Sequence, residues 1–491
     1  MAHQAVKWLA LALALTAALL GLRFGTFVAS GSDSYGYVSQ ADLWLHRTLI
    51  IDEPLSAEAP WRYANFTLTP LGYHPGDRRG TMVPTYSPGL PIVMAGFKAI
   101  GGETAVYWVV PLIGALAVWL TYVLGAKLAG GEAGVLAALA LLVSPAFLFQ
   151  LMWPMSDVPV MAWWLASIVL ALGRTRYHAF GAGLLTAAAV LTRPNLVLLA
   201  IPIAALVAIQ QATWRERLER AFVFGIAALP GPVAVAMINN HLFGSPFSSG
   251  YGTFATIYSW RYFTANVTQY PIWLLETQTP FVLLALVAPP LLRSGANPDA
   301  RRIAVFGLSF SLVLLLSYLW YTPYDNWTYL RFLLPAYPLL LAAAAAVFTY
   351  LAPTAPRRRP LAFITLAVLL AAVGFWQGRA AFGVRADESR SLAAARFAAA
   401  LPDNAAIICN QHSGSIRYYA NRVTLRYEWL EPDVYTEAID YLHSIGRPVF
   451  VVLDDVERDV FRARYASVTD VSWLDTPVLV AAKRVYFYAV P

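Results

Sequence analysis

The feature that most limits what this chain can fold into is the alternation of long apolar runs with short arginine-bearing loops. The first run, Leu9 to Val28, is long enough to cross a bilayer, which takes about 20 apolar residues. Composition agrees. The chain is 58% hydrophobic and only 13% charged, where ordinary soluble domains carry about 25% charge. A net charge of +7 would suit nucleic acid, but the basic residues fall in clusters between apolar runs. That is the pattern of cytoplasmic loops, so nucleic acid is set aside. One cysteine, Cys409, excludes an intramolecular disulfide and any cysteine metal motif. Lys7 precedes the first run and no small-x-small cleavage site follows it, so the run reads as an uncleaved span. Arginine outnumbers lysine and alanine abounds, as in GC-rich bacteria.

The placement of charge gives a topology. Span 1 covers about 8–29, starting from a cytoplasmic N-terminus. Residues 30–102 form a long outer loop. Its apolar piece Gly89–Ile100, interrupted by Pro91 and preceded by Pro88, is too short to cross and is expected to be interfacial. Later spans fall at about 103–126, 131–150, 155–173, 178–193, 194–211, 220–240, 277–292, 303–321, 331–352 and 360–378. This places Lys127, the Arg174–Arg176 pair, Arg215, Arg217 and Arg220, Arg293 with Arg301 and Arg302, and Arg357 to Arg359 on one side. The positive-inside rule requires that. Letting Gly89–Ile100 cross would reverse every later cluster. The expected architecture is a polytopic α-helical membrane protein of about 11 transmembrane helices in residues 1–378. After it, at 379–491, polar helical stretches alternate with short β-type runs (405–409, 448–453, 478–490), as in a small extracytoplasmic α/β domain.

This topology gathers particular residues on the outer face. Asp33 follows span 1, Asp157 lies between spans 3 and 4, and Arg193 lies between spans 5 and 6. Arg261, Tyr262 and Asp325 to Arg331 lie in outer loops, with Arg62, His74, Asp77, Arg78 and Arg79 in the first loop. The middles of spans 2 to 11 carry almost no ionisable groups, whereas transporters and channels need such groups near the midplane. Carboxylates and guanidiniums at one interface suit chemistry on a lipid-linked phosphate instead. Arginine binds phosphate through its planar fork of donors, and a nearby carboxylate can take a proton from an incoming hydroxyl.

Plainer readings stand beside these. Asp33 and Asp157 both follow serine at helix starts and suit capping. Arg193 and Arg331 suit snorkelling, and Asp52-Glu53 reads as a solvated turn. His74 has no second histidine at metal-ligand spacing, and the sequons at Asn65, Asn266 and Asn326 read as chance. No site is assigned to a metal or cofactor. A divalent ion at the outer carboxylates stays open, without a dedicated oxygen-ligand motif. The 241–277 loop, rich in Gly, Ser and Tyr, reads as a flap or simply a loop.

Several short motifs, in order, resemble the GT-C superfamily of polytopic glycosyltransferases. They are Ser32-Asp33-Ser-Tyr35-Gly-Tyr37, Tyr86-Ser-Pro88-Gly89-Leu-Pro91, Ser144-Pro145, Ser156-Asp157, Leu191-Thr-Arg193-Pro194 and Arg331-Phe-Leu-Leu-Pro335-Ala-Tyr-Pro338. The resemblance is to members such as protein O-mannosyltransferases and lipid A aminoarabinose transferases. It implies transfer of a sugar, with inversion, from a polyprenyl-phosphate donor to a lipid, glycan or protein hydroxyl on the extracytoplasmic face of the plasma membrane. Asp33 would be the base, with Asp157 supporting. Arg193, Arg261 and Arg331 would hold the departing phosphate, and Tyr35, Tyr37, His74, Tyr86 and Tyr262 would line the substrates. Many relatives carry an Asp-Glu pair where this chain has Asp33-Ser34. Apart from the resemblance, a lipid-phosphate transporter or flippase without chemistry, or a scaffold presenting the C-terminal domain, fits the same composition.

Overall fold

The computed structural model describes residues 2–292, 298–482 and 484–490; Arg293 lies outside the described residues. Two compact units interleave along the chain. The helical unit comprises residues 1–25, 107–237 and 253–384, and the mixed unit residues 26–106, 238–252 and 385–491.

Among the described residues, six helices are long and apolar enough to cross a membrane: Gln4–Phe24, Glu103–Ala129, Trp214–Phe243, Asp299–Leu319, Trp327–Leu351 and Arg358–Ala398. The number rises to eight if two bent pairs count as spans. These are Gly131–Leu142 with Pro145–Leu151, bent by 63°, and Trp260–Gln278 with Pro280–Leu291, bent by 108°. Both bends have a chemical cause. Ser144 accepts from Phe147 N–H and Thr279 from Phe281 N–H, each just before a proline that restarts the helix. The remaining expected spans are shorter helices, Asp157–Ala171, Arg176–Thr192 and the Pro194–Ile209 stretch. Eleven crossings therefore exceed what helix length alone supports. The chain is a multi-pass membrane protein. Its alanine-rich helix Tyr337–Leu351 is the most enclosed, with Ala342 to Ala346 buried, because small side chains let neighbouring helices approach closely.

Basic loops are tied to one another within the helical unit. Arg174 pairs with Asp299 at 3.8 Å and Arg359 with Glu132 at 2.7 Å. Gln211 donates to the Arg174 carbonyl at 2.6 Å. Arg220, expected in a basic cluster at the start of a span, is buried and donates to the Gly173 carbonyl at 2.7 Å. Residues 241–277, expected as loop, contain nearly all of the helix Phe263–Gln278. The Asn266 amide is buried there and donates to the carbonyls of Tyr318, Leu319 and Tyr321, so that sequon asparagine is part of the packing.

The mixed unit holds two sheets. In the first loop, β1 (Ile51–Asp52), β2 (Tyr73–Pro75) and β3 (Thr81–Pro84) pair antiparallel in the order β1-β3-β2. The helix Gly89–Gly101, 13 residues long, is too short to cross a bilayer. The second sheet contains β4 (Ala406–Cys409), β5 (Val423–Arg426), β6 (Val449–Asp454), β7 (Leu479–Ala481) and β8 (Val485–Ala489), in the order β5-β4-β6-β8-β7. Strand β4 runs parallel to both neighbours and is apolar throughout because both its faces are covered. Ile407 and Cys409 pack with Ile416, Ala420 and Ala394. Ala406 and Ile408 face Leu442 and Phe461, together with Leu55, Trp61 and Leu68 from the first loop. The first loop thus completes the core of this sheet. The helix Arg358–Gly378 is followed by a tight helical turn, Arg379–Gly383, and the helix Val384–Ala398.

Candidate functional site

Two clusters of candidate residues form, one in each unit. In the helical unit, Asp157 is the first residue of Asp157–Ala171, and its side chain is 1% exposed. It is not the N-cap; that position is Ser156, which makes no side-chain cap hydrogen bond. Instead Asp157 Oδ1 accepts from Arg193 Nη2 at 2.6 Å, and Oδ2 lies 3.9 Å from Arg331 Nη1. Arg193 is set at the end of helix Arg176–Thr192, where Pro194 forces the preceding residue out of helical geometry. Arg331 projects from the tight helical segment Trp327–Ala336. Both guanidiniums flank the Phe332 ring, at 5.6 and 5.3 Å from its centroid, and Phe332 stacks on Tyr318. One buried carboxylate therefore holds two guanidiniums on an aromatic floor. A 15-residue helix separates Asp157 from the basic loops at its other end, about 22 Å away.

In the mixed unit, Asp33 begins the helix Asp33–Leu45, and again the preceding serine makes no side-chain cap hydrogen bond. Tyr86, just after β3, donates its hydroxyl to Asp33 Oδ1 at 2.5 Å, and Ser32 Oγ lies 2.7 Å from the same phenol oxygen. Tyr37 stacks on Tyr86 with 4.6 Å between centroids. This contact requires glycine at position 36, where a Cβ would stand 2.3 Å from the Tyr86 ring. Burial, then the Asp33 charge, pushes the Tyr86 phenol well above its ordinary range, so it remains a protonated donor.

The other expected residues lie elsewhere. Tyr35 is buried against Tyr73 and Tyr418. His74 bonds the Pro75 carbonyl through Nδ1 and packs between Phe66 and Phe243. Arg261 is exposed and donates to the Tyr262 hydroxyl at 2.6 Å. Asp52 pairs with Arg78 at the surface, but Glu53 is buried and paired with Arg417, so the expected solvated turn holds only for its first residue. Sequence reasoning passed over Lys98, which bridges Asp42 and Glu103; a lysine in an apolar helix was the available signal. Among the described residues, no group of three or more metal-ligating side chains forms.

Residues 84–238 match the family described as dolichyl-phosphate-mannose-protein mannosyltransferase. No curated relative matches the chain by sequence. Solved structures match its fold over almost the whole length. ArnT from Cupriavidus metallidurans bound to undecaprenyl phosphate superposes with TM-score 0.60 at 15% identity, over 98% of this chain and 97% of that one. The oligosaccharyltransferase of Archaeoglobus fulgidus tethered to an acceptor peptide matches at TM-score 0.52 and 13% identity, over 91% and 69%. Arabinofuranosyltransferase AftD from Mycobacteria matches at TM-score 0.55 and 16% identity, over 99% of this chain but 40% of its own length.

Proposed function

We propose that this chain, which has the GT-C glycosyltransferase fold, is a membrane glycosyltransferase that uses a polyprenyl-phosphate-linked sugar. The observation that carries this reading is the buried Asp157 holding Arg193 and Arg331 in a helical unit otherwise poor in charge. Two guanidiniums fixed by one carboxylate suit an anion with several oxygens, and a lipid phosphate is one. The family resemblance of the sequence motifs and the undecaprenyl phosphate bound to ArnT favour the same donor class.

In this reading the acceptor hydroxyl oxygen forms a bond to the anomeric carbon while the carbon–oxygen bond to phosphate breaks. The released electron pair stays on the phosphate, where Arg193 and Arg331 offset its charge. The hydroxyl proton passes to Asp33, whose carboxylate Tyr86 orients through Oδ1. The attack inverts the anomeric centre, and the chemistry lies on the extracytoplasmic face, opposite the basic loops. Asp157 organises the arginines and takes no proton. Native mass spectrometry tests the donor: a co-purifying polyprenyl phosphate, lost in Arg193→Ala and Arg331→Ala, is expected. Only bulk phospholipid, indifferent to both variants, would reject the donor site. Lipid scrambling without sugar consumption would favour a transporter.

A further inference from the structure

The C-terminal sheet has a feature that the transfer reaction leaves unexplained. From β4 the chain passes through helix Ser413–Ala420 to β5 on one side, then through helix Tyr435–Ser444 to β6 on the other side of β4. The two helices lie on opposite faces, since Ile416 belongs to one core and Leu442 to the other. That makes the carboxyl end of β4 a topological switch point, where open α/β sheets ordinarily take a ligand. Here the residues around it meet the chain's own first loop. Gly31 faces Gln411, immediately after β4, with the Gln411 Oε1 3.9 Å from where a Cβ would stand. Ala29 N–H donates to the Tyr419 hydroxyl at 2.8 Å, and Leu71 N–H donates to Ser413 Oγ at 3.1 Å.

The helix Ser413–Ala420 makes most of these contacts. Arg417 pairs with buried Glu53 and donates to the Leu68 carbonyl at 2.5 Å. Tyr418 donates to Asp42 Oδ2 at 2.9 Å, on the same helix that Asp33 begins. Gly414 is buried against the Tyr35 ring, and a Cβ there would fall 2.1 Å from Tyr35 Cδ1. Asp33 is thus held from both sides in sequence, through Ala29 and Gly31 before it and Tyr35 and Asp42 after it. A solvent-exposed loop would need none of this.

We propose that the C-terminal α/β lobe is the positioning element for Asp33, its switch-point crevice filled by the Ala29–Tyr35 turn, with Gly414 and Tyr419 as positioning residues. The inference rests on Asp33 being the base. A misplacement of about 1 Å at a reacting group can cost about 10²-fold in rate, so small shifts of this turn have a large readout.

The test uses the full chain in lipid nanodiscs, with donor-phosphate binding and sugar transfer measured on the same samples. Gly414→Ala is expected to lower turnover per donor-binding molecule by about 10²-fold, with donor affinity within about twofold. Adding Tyr35→Leu, which makes room for the new methyl group, is expected to recover part of the loss. Tyr419→Phe keeps the shape but removes the acceptor for Ala29 N–H, and is expected to cost about tenfold, the scale of one hydrogen bond. A purely structural role predicts loss in proportion to donor-binding protein, with turnover per binding molecule unchanged. That result, or full turnover in Tyr419→Phe should Gly414→Ala fail to fold, overturns the proposal. A wild-type protein that binds donor but transfers no sugar overturns the parent reading instead.

Discussion

Asp33 and Asp157 are written almost identically. Each follows a serine, each is the first residue of a helix, and in neither case does that serine make a side-chain cap hydrogen bond. Each has different partners within its own unit. Asp157 sits in the helical unit between two guanidiniums, whereas Asp33 is held by the neutral Tyr86 hydroxyl with Ser32 beside it. A buried carboxylate needs charge partners to offset its lost hydration. The difference teaches that the local serine–aspartate pattern announces a helix start, and that the partners brought by the fold decide what the carboxylate does.

Several substitutions test that contrast. The largest effect is expected from Asp33→Asn, which keeps the shape but removes the proton acceptor: turnover should fall by about 10³-fold while donor affinity holds. Retained turnover in a sugar-transfer assay would take Asp33 out of the mechanism. Arg193→Ala should act on stability and binding together. It removes the nearer partner of a carboxylate 1% exposed, at a cost of roughly 3 kcal/mol, readable as a lower thermal midpoint alongside loss of lipid phosphate. Asp157→Asn then sharpens the comparison. Its arginines lose their anchor, so donor affinity should weaken by about tenfold to a hundredfold, with turnover of the bound donor far less affected than in Asp33→Asn. Equal losses of turnover in the two aspartate variants would erase the distinction drawn between them.

Tyr86→Phe should lower turnover by about tenfold, the scale of one oriented hydrogen bond to a charged group. Because the phenol is held protonated by burial and by the Asp33 charge, that loss should be constant across the neutral pH range; a loss confined to high pH would point to phenolate chemistry. Arg261→Ala is expected to have the smallest effect, within about twofold, because its visible partner is the exposed Tyr262 and such surface contacts contribute little. A large donor-binding defect there would return Arg261 to the phosphate site.

Much of the fold was legible because hydropathy acts locally. A run of about 20 apolar residues has few options in a bilayer, and the six long helices lie where the runs predict. The shortfall from eleven also has local causes: proline and hydroxyl caps at Ser144-Pro145 and Thr279-Pro280 bend two helix pairs, and three further expected spans are short helices. The grouping of Arg193 with Arg331 was suggested by shared sidedness; the same reasoning offered Arg261, whose visible contact is the Tyr262 hydroxyl, because sidedness carries no lateral position. The joining of residues 26–106 with 385–491 in one unit left no signature that a periodicity argument can detect. Arg417 and Glu53 are 364 residues apart, and neither announces the other.

The sequence by itself therefore determined the membrane class, the positions of the long apolar helices and the candidate aspartates, each a consequence of short-range chemistry. Tertiary structure alone decided that Asp157 meets two arginines and that Tyr86 donates to Asp33. It also decided that the first loop supplies part of the C-terminal core, and that a glycine at position 414 abuts the ring two residues beyond Asp33. The physical reason is that burial, ion pairing and steric fit depend on which distant segments become neighbours, and local pattern does not encode that.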